Sequence, residues 1–159
     1  MLSPAAVSAQ ATVAFGTMTQ DTSAPVEATS DALAVEQDTG TAIFTGNVVI
    51  VQGEMRLTAP RVLVVYSDDQ SKVERLEATG GVTLVSGPDA AEADRADYSI
   101  DTGVVIMRGN VLMTQGDNSL TSDEATVNLT EGTAQMGGRV KTILQPGSTT
   151  QPRAGTKTP

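Results

Sequence analysis

Four times along the chain a glycine opens the same local phrase: Gly46-Asn47-Val48-Val49, Gly80-Gly81-Val82-Thr83, Gly109-Asn110-Val111-Leu112 and Gly138-Arg139-Val140-Lys141. The steps between these glycines are 34, 29 and 29 residues. A second glycine stands seven residues after each of the first three, at Gly53, Gly87 and Gly116. A further one stands six residues before three of the four, at Gly40, Gly103 and Gly132. The longer first step is a single five-residue insertion near residues 69–74. A period of roughly 20 to 50 residues marks stacked units, none of which can bury its apolar face alone. A chain so built folds as a stack, and its function follows from the shape that stacking makes.

Within each unit the side chains alternate. Two residues before the anchor glycines stand Phe44, Ala78, Met107 and Met136; four before stand Ala42, Leu76, Val105 and Ala134. Two residues after come Val48, Val82, Val111 and Val140, and four after come Ile50, Leu84, Met113 and Thr142. Only Thr142 in this set is polar. The positions between hold Thr45, Thr79, Arg108, Thr83 and Lys141. Period-2 alternation is the mark of a strand with one buried face. The second half of each unit alternates likewise, with Val62 and Val64, Ala96 and Tyr98, and Ala125 and Val127 in register. A partial copy precedes them, Leu33 and Val35 matching Ala125 and Val127. The pattern predicts an all-β chain of about four short strands per unit, without helix. Periodicity is compatible with parallel strands (a β-helix) and with antiparallel ones (a rolled, open jelly roll).

Composition narrows the function. The chain has 19 acidic and 10 basic residues, a net charge of −9. That balance argues against nucleic acid, which is bound by neutralising phosphates with Lys and Arg. With no His and no Cys, the commonest metal ligands and general bases are missing, and no metal or cofactor is expected. The acidic run Asp89, Glu92, Asp94, Asp97 and Asp101 has the residue type of a glycosidase pair. Its spacing scatters it along a strand and turn, and no Trp is present to grip a sugar. An enzyme is not expected.

The chain divides into a leader (1–27), a repeat domain (28–145) and a Pro/Gly/Thr-rich flexible tail (146–159). Ala9-Gln10-Ala11 has the small-x-small pattern of a signal-peptidase site, without a basic region before it. It is expected to be the end of a secretory signal whose start is missing; an Ala/Ser-rich disordered leader fits the same residues.

The run Thr41-Ala42-Ile43-Phe44-Thr45-Gly46-Asn47-Val48-Val49-Ile50-Val51-Gln52-Gly53, followed by Leu57-Thr58-Ala59-Pro60, resembles the OstA-like family. It recurs as Met107-Arg108-Gly109-Asn110-Val111-Leu112-Met113-Thr114-Gln115-Gly116. The resemblance covers about residues 28–145. It implies an elongated antiparallel β-jelly roll, V-shaped in section, with an open apolar trough. It also implies a periplasmic bridge protein that shelters lipopolysaccharide acyl chains and joins head to tail by strand addition. Further copies, and the inner-membrane-anchored and outer-membrane transport proteins of related fold, would be its partners. Pro60 departs from the family's Asp, which Asp123 keeps, and Gly81 and Arg139 replace its Asn. These are corner positions, where local turn differences are expected.

The residues that would line such a trough are Phe44, Val48, Ile50, Val82, Leu84, Val105, Met107, Val111, Met113 and Met136, with Val62, Val64 and Val127 opposite. Methionine suits a ligand of variable shape, because it fills irregular space. The same residues would equally fill a closed solenoid that polymerises without a ligand. Arg56, Arg61, Arg95, Arg108 and Arg139 are candidates for lipid phosphates, though each also suits a solvated strand position. The edge strands for a partner are those of Leu33 and Val35 and of Val140, Thr142 and Leu144, unless the chain's own tails cover them.

Overall fold

The computed structural model describes residues 11–15, 23–69 and 71–146. These form eleven strands in one sheet: β1 (Ala11–Ala14), β2 (Glu27–Thr29), β3 (Ala32–Glu36), β4 (Thr41–Gln52), β5 (Met55–Tyr66), β6 (Val73–Ser86), β7 (Asp89–Ser99), β8 (Val104–Gln115), β9 (Asn118–Asn128), β10 (Thr133–Gly137) and β11 (Lys141–Ile143). No helix occurs among the described residues. Every ladder is antiparallel. The fold is therefore an antiparallel β-jelly roll, not a parallel β-helix. The path of pairing runs β1-β10-β9-β8-β7-β6-β5-β4-β2 and does not close on itself. Part of the expected leader belongs to the sheet, since β1 lies within it. Residues 1–10, 16–22, 70 and 147–159, which take in most of the leader and nearly all of the tail, lie outside the described residues.

The repeat is built from two long bent strands, not four short ones. Strands β4 to β9 have 11 to 14 residues each. The bend falls at the anchor glycine, where Gly46 and Asn47 both take positive φ (82° and 48°), as Gly109 and Asn110 do (85° and 49°). Between β4 and β5 the register moves from Thr45↔Arg61 to Val48↔Ala59, so the even-numbered strand spends one residue more. That extra residue is a β-bulge, which kinks the strand and turns the sheet. The bulge recurs at the same place in the other long pairs.

Three of the four corners are held by a carboxylate from the neighbouring unit. The Asn47 amide donates to the Asp31 carboxylate at 3.0 Å, and Asn110 does the same to Asp94 at 3.0 Å. At the last corner the Arg139 guanidinium, φ 48°, reaches Asp123 at 3.4 Å. A short polar side chain tolerates the left-handed region when it can bond locally. The departures from the family pattern now have a cause. Pro60 offers no carboxylate to hold an Asn, and the residue facing that corner is Gly81, which takes φ 99° without needing a partner. Pro60 itself sits in the register gap between Thr58 and Arg61. At the equivalent places the N–H of Asp31 and of Asp123 donates to the carbonyl of Gly46 and of Gly138, at 2.9 and 2.8 Å, a bond that proline cannot make.

The corners divide the sheet into two wings. The first holds β3, the leading halves of β4, β6 and β8, the trailing halves of β5, β7 and β9, then β10 and β1. The second holds β2, the complementary halves, and β11. Inward residues of the first wing (Val62, Leu76, Tyr98, Met107, Val127) and of the second (Ile50, Leu57, Leu84, Met113, Leu120) are at most 2 % exposed and belong to one cluster. Complete burial of both inner faces requires that the wings cover one another. Burying an aliphatic side chain of this size stabilises the fold by about 1.5–3 kcal/mol.

Candidate functional site

The interior runs the length of the stack. The residues expected to line it converge there. Val48, Ile50, Val62, Val64, Val82, Leu84, Val105, Met107, Val111, Met113, Val127 and Met136 are all buried, and Phe44 is half-buried against the same cluster. Phe44 is less covered because its cross-strand neighbour Leu33 lies on the exposed edge strand β3. The lining is apolar and continuous from end to end, with small Ala59, Ala78, Ala91, Ala93 and Ala96 set among the larger residues.

A polar margin closes the second wing. Gln52, Ser86, Asp89, Gln115 and Asn118 are buried, and they stand where β4/β5, β6/β7 and β8/β9 turn back. Gln115 donates to Asp89 at 3.5 Å, and Asn118 accepts the backbone N–H of Gln145 at 3.1 Å. The margin also binds the wings together: the hydroxyl of Tyr98, from the first wing, donates to the Gln52 side-chain oxygen of the second. Gln52 in turn donates to the Ala24 carbonyl at 2.9 Å. Sequence reading passed over this margin. The signal was present in Gln52 and Gln115, which hold the same place before Gly53 and Gly116, but polar residues beside a turn glycine read as loop.

Burial pushes the Tyr98 hydroxyl up to about 12 from the usual 10.0. The unfolded chain releases this proton near 10 while the folded chain keeps it to about 12. Stability is therefore whole below pH 10 and falls by about 2–3 kcal/mol as pH rises to 12. Urea unfolding at pH 9 and 11.5 checks this: wild type loses that increment, and Tyr98→Phe, which starts about 1 kcal/mol lower for want of the bond, does not.

The outward face of the first wing is a charge ladder. Arg95 pairs with Asp97 at 3.0 Å and Glu77 at 3.7 Å, and Arg108 pairs with Asp97 at 3.2 Å and Glu124 at 3.0 Å. Arg75 joins Glu77 at 2.7 Å. Of the arginines considered for lipid phosphate, Arg95, Arg108 and Arg139 are thus engaged by carboxylates, on the side facing away from the interior. The acidic run is likewise dispersed. Asp89 sits in the polar margin, Asp94 clamps a corner, Asp97 joins the ladder and Asp101 pairs with Lys72 at 3.3 Å.

The two ends of the stack differ. At the β3 end Leu33 and Val35 are 55 % and 63 % exposed. At the other end β11 is shorter than expected, Lys141–Ile143; Thr142 and Leu144 are exposed and Val140 is half-buried.

An open antiparallel jelly roll of bent strands around one continuous apolar interior is the class that this architecture defines. Comparison places the chain more closely. The family described as LptA/(LptD N-terminal domain) LPS transport protein matches residues 27–133. The chain belongs to this family. It is 30 % identical over 135 residues to the uncharacterized protein R00383 of Rhizobium meliloti (strain 1021), covering 78 % of this chain and 73 % of that one. It is 26 % identical over 139 residues to the lipopolysaccharide export system protein LptA of Escherichia coli (strain K12), covering 81 % and 75 %. The crystal structure of LptH, the LptA-homologous periplasmic component of lipopolysaccharide transport in Pseudomonas aeruginosa, superposes with a TM-score of 0.71 at 17 % identity. That match covers 80 % of this chain and 99 % of LptH.

Proposed function

We propose that this chain is a periplasmic bridge for lipopolysaccharide, holding acyl chains between its two wings and joining related domains end to end. The observation that carries the reading is the unbroken apolar interior, bounded by two wings that are joined along one side only by bent strands. On the other side, side-chain contacts such as Tyr98–Gln52 hold them. Among the described residues no backbone ladder joins one wing to the other, so parting them would break none. Each methylene sheltered from water contributes about 0.8 kcal/mol, so a few chains partly inserted offset the loss of wing-to-wing contact. The exposed apolar residues of β3 supply an edge for a further strand.

Complete burial of the lining favours a second reading, a structural stack that polymerises and carries no lipid. The two separate in one titration. Lipopolysaccharide added to the purified chain with an apolar fluorescent probe is expected to displace the probe saturably, while the same lipopolysaccharide stripped of its acyl chains leaves it in place. Equal displacement by both, or none by either, rejects the acyl-chain reading; with none by either, the ligand-free stack is the better account.

A further inference from the structure

Residues 11–15, Ala-Thr-Val-Ala-Phe, repeat the pattern of residues 125–129, Ala-Thr-Val-Asn-Leu, with three of five positions identical. The two segments flank β10 in the same register. Ala11 and Ala125 both pair with Met136, Thr12 and Thr126 with Gln135, and Val13 and Val127 with Ala134. The bond that ends the strand is also the same: the Phe15 N–H donates to the Gly132 carbonyl at 2.8 Å, as that of Leu129 does to Gly103 at 2.8 Å and that of Tyr66 to Gly40 at 3.0 Å. By sequence and by hydrogen bonding β1 is a trailing half-strand of the repeat, carried at the opposite end of the chain from the unit it completes. Phe15 is 1 % exposed there. The first wing is therefore covered at the β10 end and bare at the β3 end.

β3 is the only other half-strand of this kind with a free side among the described residues. It occupies the equivalent place on β4, with Leu33 opposite Phe44 and Val35 opposite Ala42. On β10 it would set Leu33 against Met136 and Val35 against Ala134, the places Ala11 and Val13 now hold.

We propose that residues 11–15 are a detachable cap, covering within one molecule the β10 edge that β3 of a second copy would otherwise join. End-to-end joining at this edge then requires the cap to leave. The proposal rests on the reading of the chain as one that assembles end to end.

The chain has no cysteine, so Thr12→Cys with Gln135→Cys introduces a single pair, directly opposed across β1 and β10. Oxidised at low concentration, it is expected to form the bond within one molecule and to shift self-association, read by light scattering, at least tenfold toward monomer. Reduction restores the wild-type curve. Removing residues 1–15 shifts association at least tenfold the other way. A disulfide found only between copies overturns the cap, as do identical curves for oxidised and reduced protein or for the truncated and full-length chains. Val35→Asp, at an exposed position, separates the underlying reading. If it leaves the truncated chain's association unchanged, β3 is not the incoming strand and that reading fails, whatever the lock shows.

Discussion

Met113→Asp is expected to leave no cooperatively folded protein at neutral pH. Met113 is completely buried among apolar residues, and nothing charged lies in that cluster to pair with a carboxylate. An ionised group there is not tolerated, so the carboxyl keeps its proton and its affinity for that proton rises. The cost exceeds about 4 kcal/mol at pH 7, a large part of the 5–15 kcal/mol that holds a typical domain together. The sign with pH is fixed. In the folded state this carboxyl titrates above its unfolded value, so the penalty is smallest below about pH 4 and grows as pH rises. Circular dichroism melts at pH 4 and 7 should show the variant recovering a transition at the lower pH only; equal melting at both would mean that the interior admits water. Loss of lipid binding in such a variant reports unfolding and not a lost contact. That is why the ligand, rather than the lining, is altered in the test of function.

Replacing Gly109 by alanine is expected to cost about 2–4 kcal/mol. Two effects add. The residue sits at φ +85°, and a Cβ there would collide with the Asp94 carboxylate oxygen and come within 2.9 Å of its Cβ. Asp94 must move, and with it goes the bond to the Asn110 amide. Gly81→Ala isolates the first effect, because its φ is +99° but a Cβ there meets nothing within 4 Å. Its cost is about 1–2 kcal/mol. Urea midpoints for the two variants measure the difference; equal costs would show that the Asp94 clamp contributes nothing.

The anchor glycines made the corners legible, because two successive left-handed residues call for Gly and Asn and leave a recurring phrase. The alternation around them made the interior legible, since the set from Val48 to Met136 is buried as read. Three things were hidden. The length of the strands was one, because a glycine pair reads as a break between short strands when here it is a bulge inside a long one. The polar margin was another, because burial of Gln52 and Asp89 depends on the opposite wing folding over them, which no local pattern encodes. The third was β1: three identities in five residues are too few to notice beside a small-x-small motif that points to processing. The arginines show the same limit. Residue type suits Arg95 and Arg108 to phosphate. Asp97 follows Arg95 by two residues in the same strand, but only the lateral register of β6, β7, β8 and β9 brings Glu77 beside Arg95 and Asp97 and Glu124 beside Arg108.

Because every bend repeats at the same point of its unit, the fold does not itself fix how many units there are. One unit of 29 residues adds two bent strands, and two strands advance a stack by about 10 Å. Excising one unit between equivalent corners would bring like edges together and leave each remaining strand with the neighbours it expects. The apolar passage is thus measured out in whole increments, and lengthening or shortening it is a matter of counting rather than redesign.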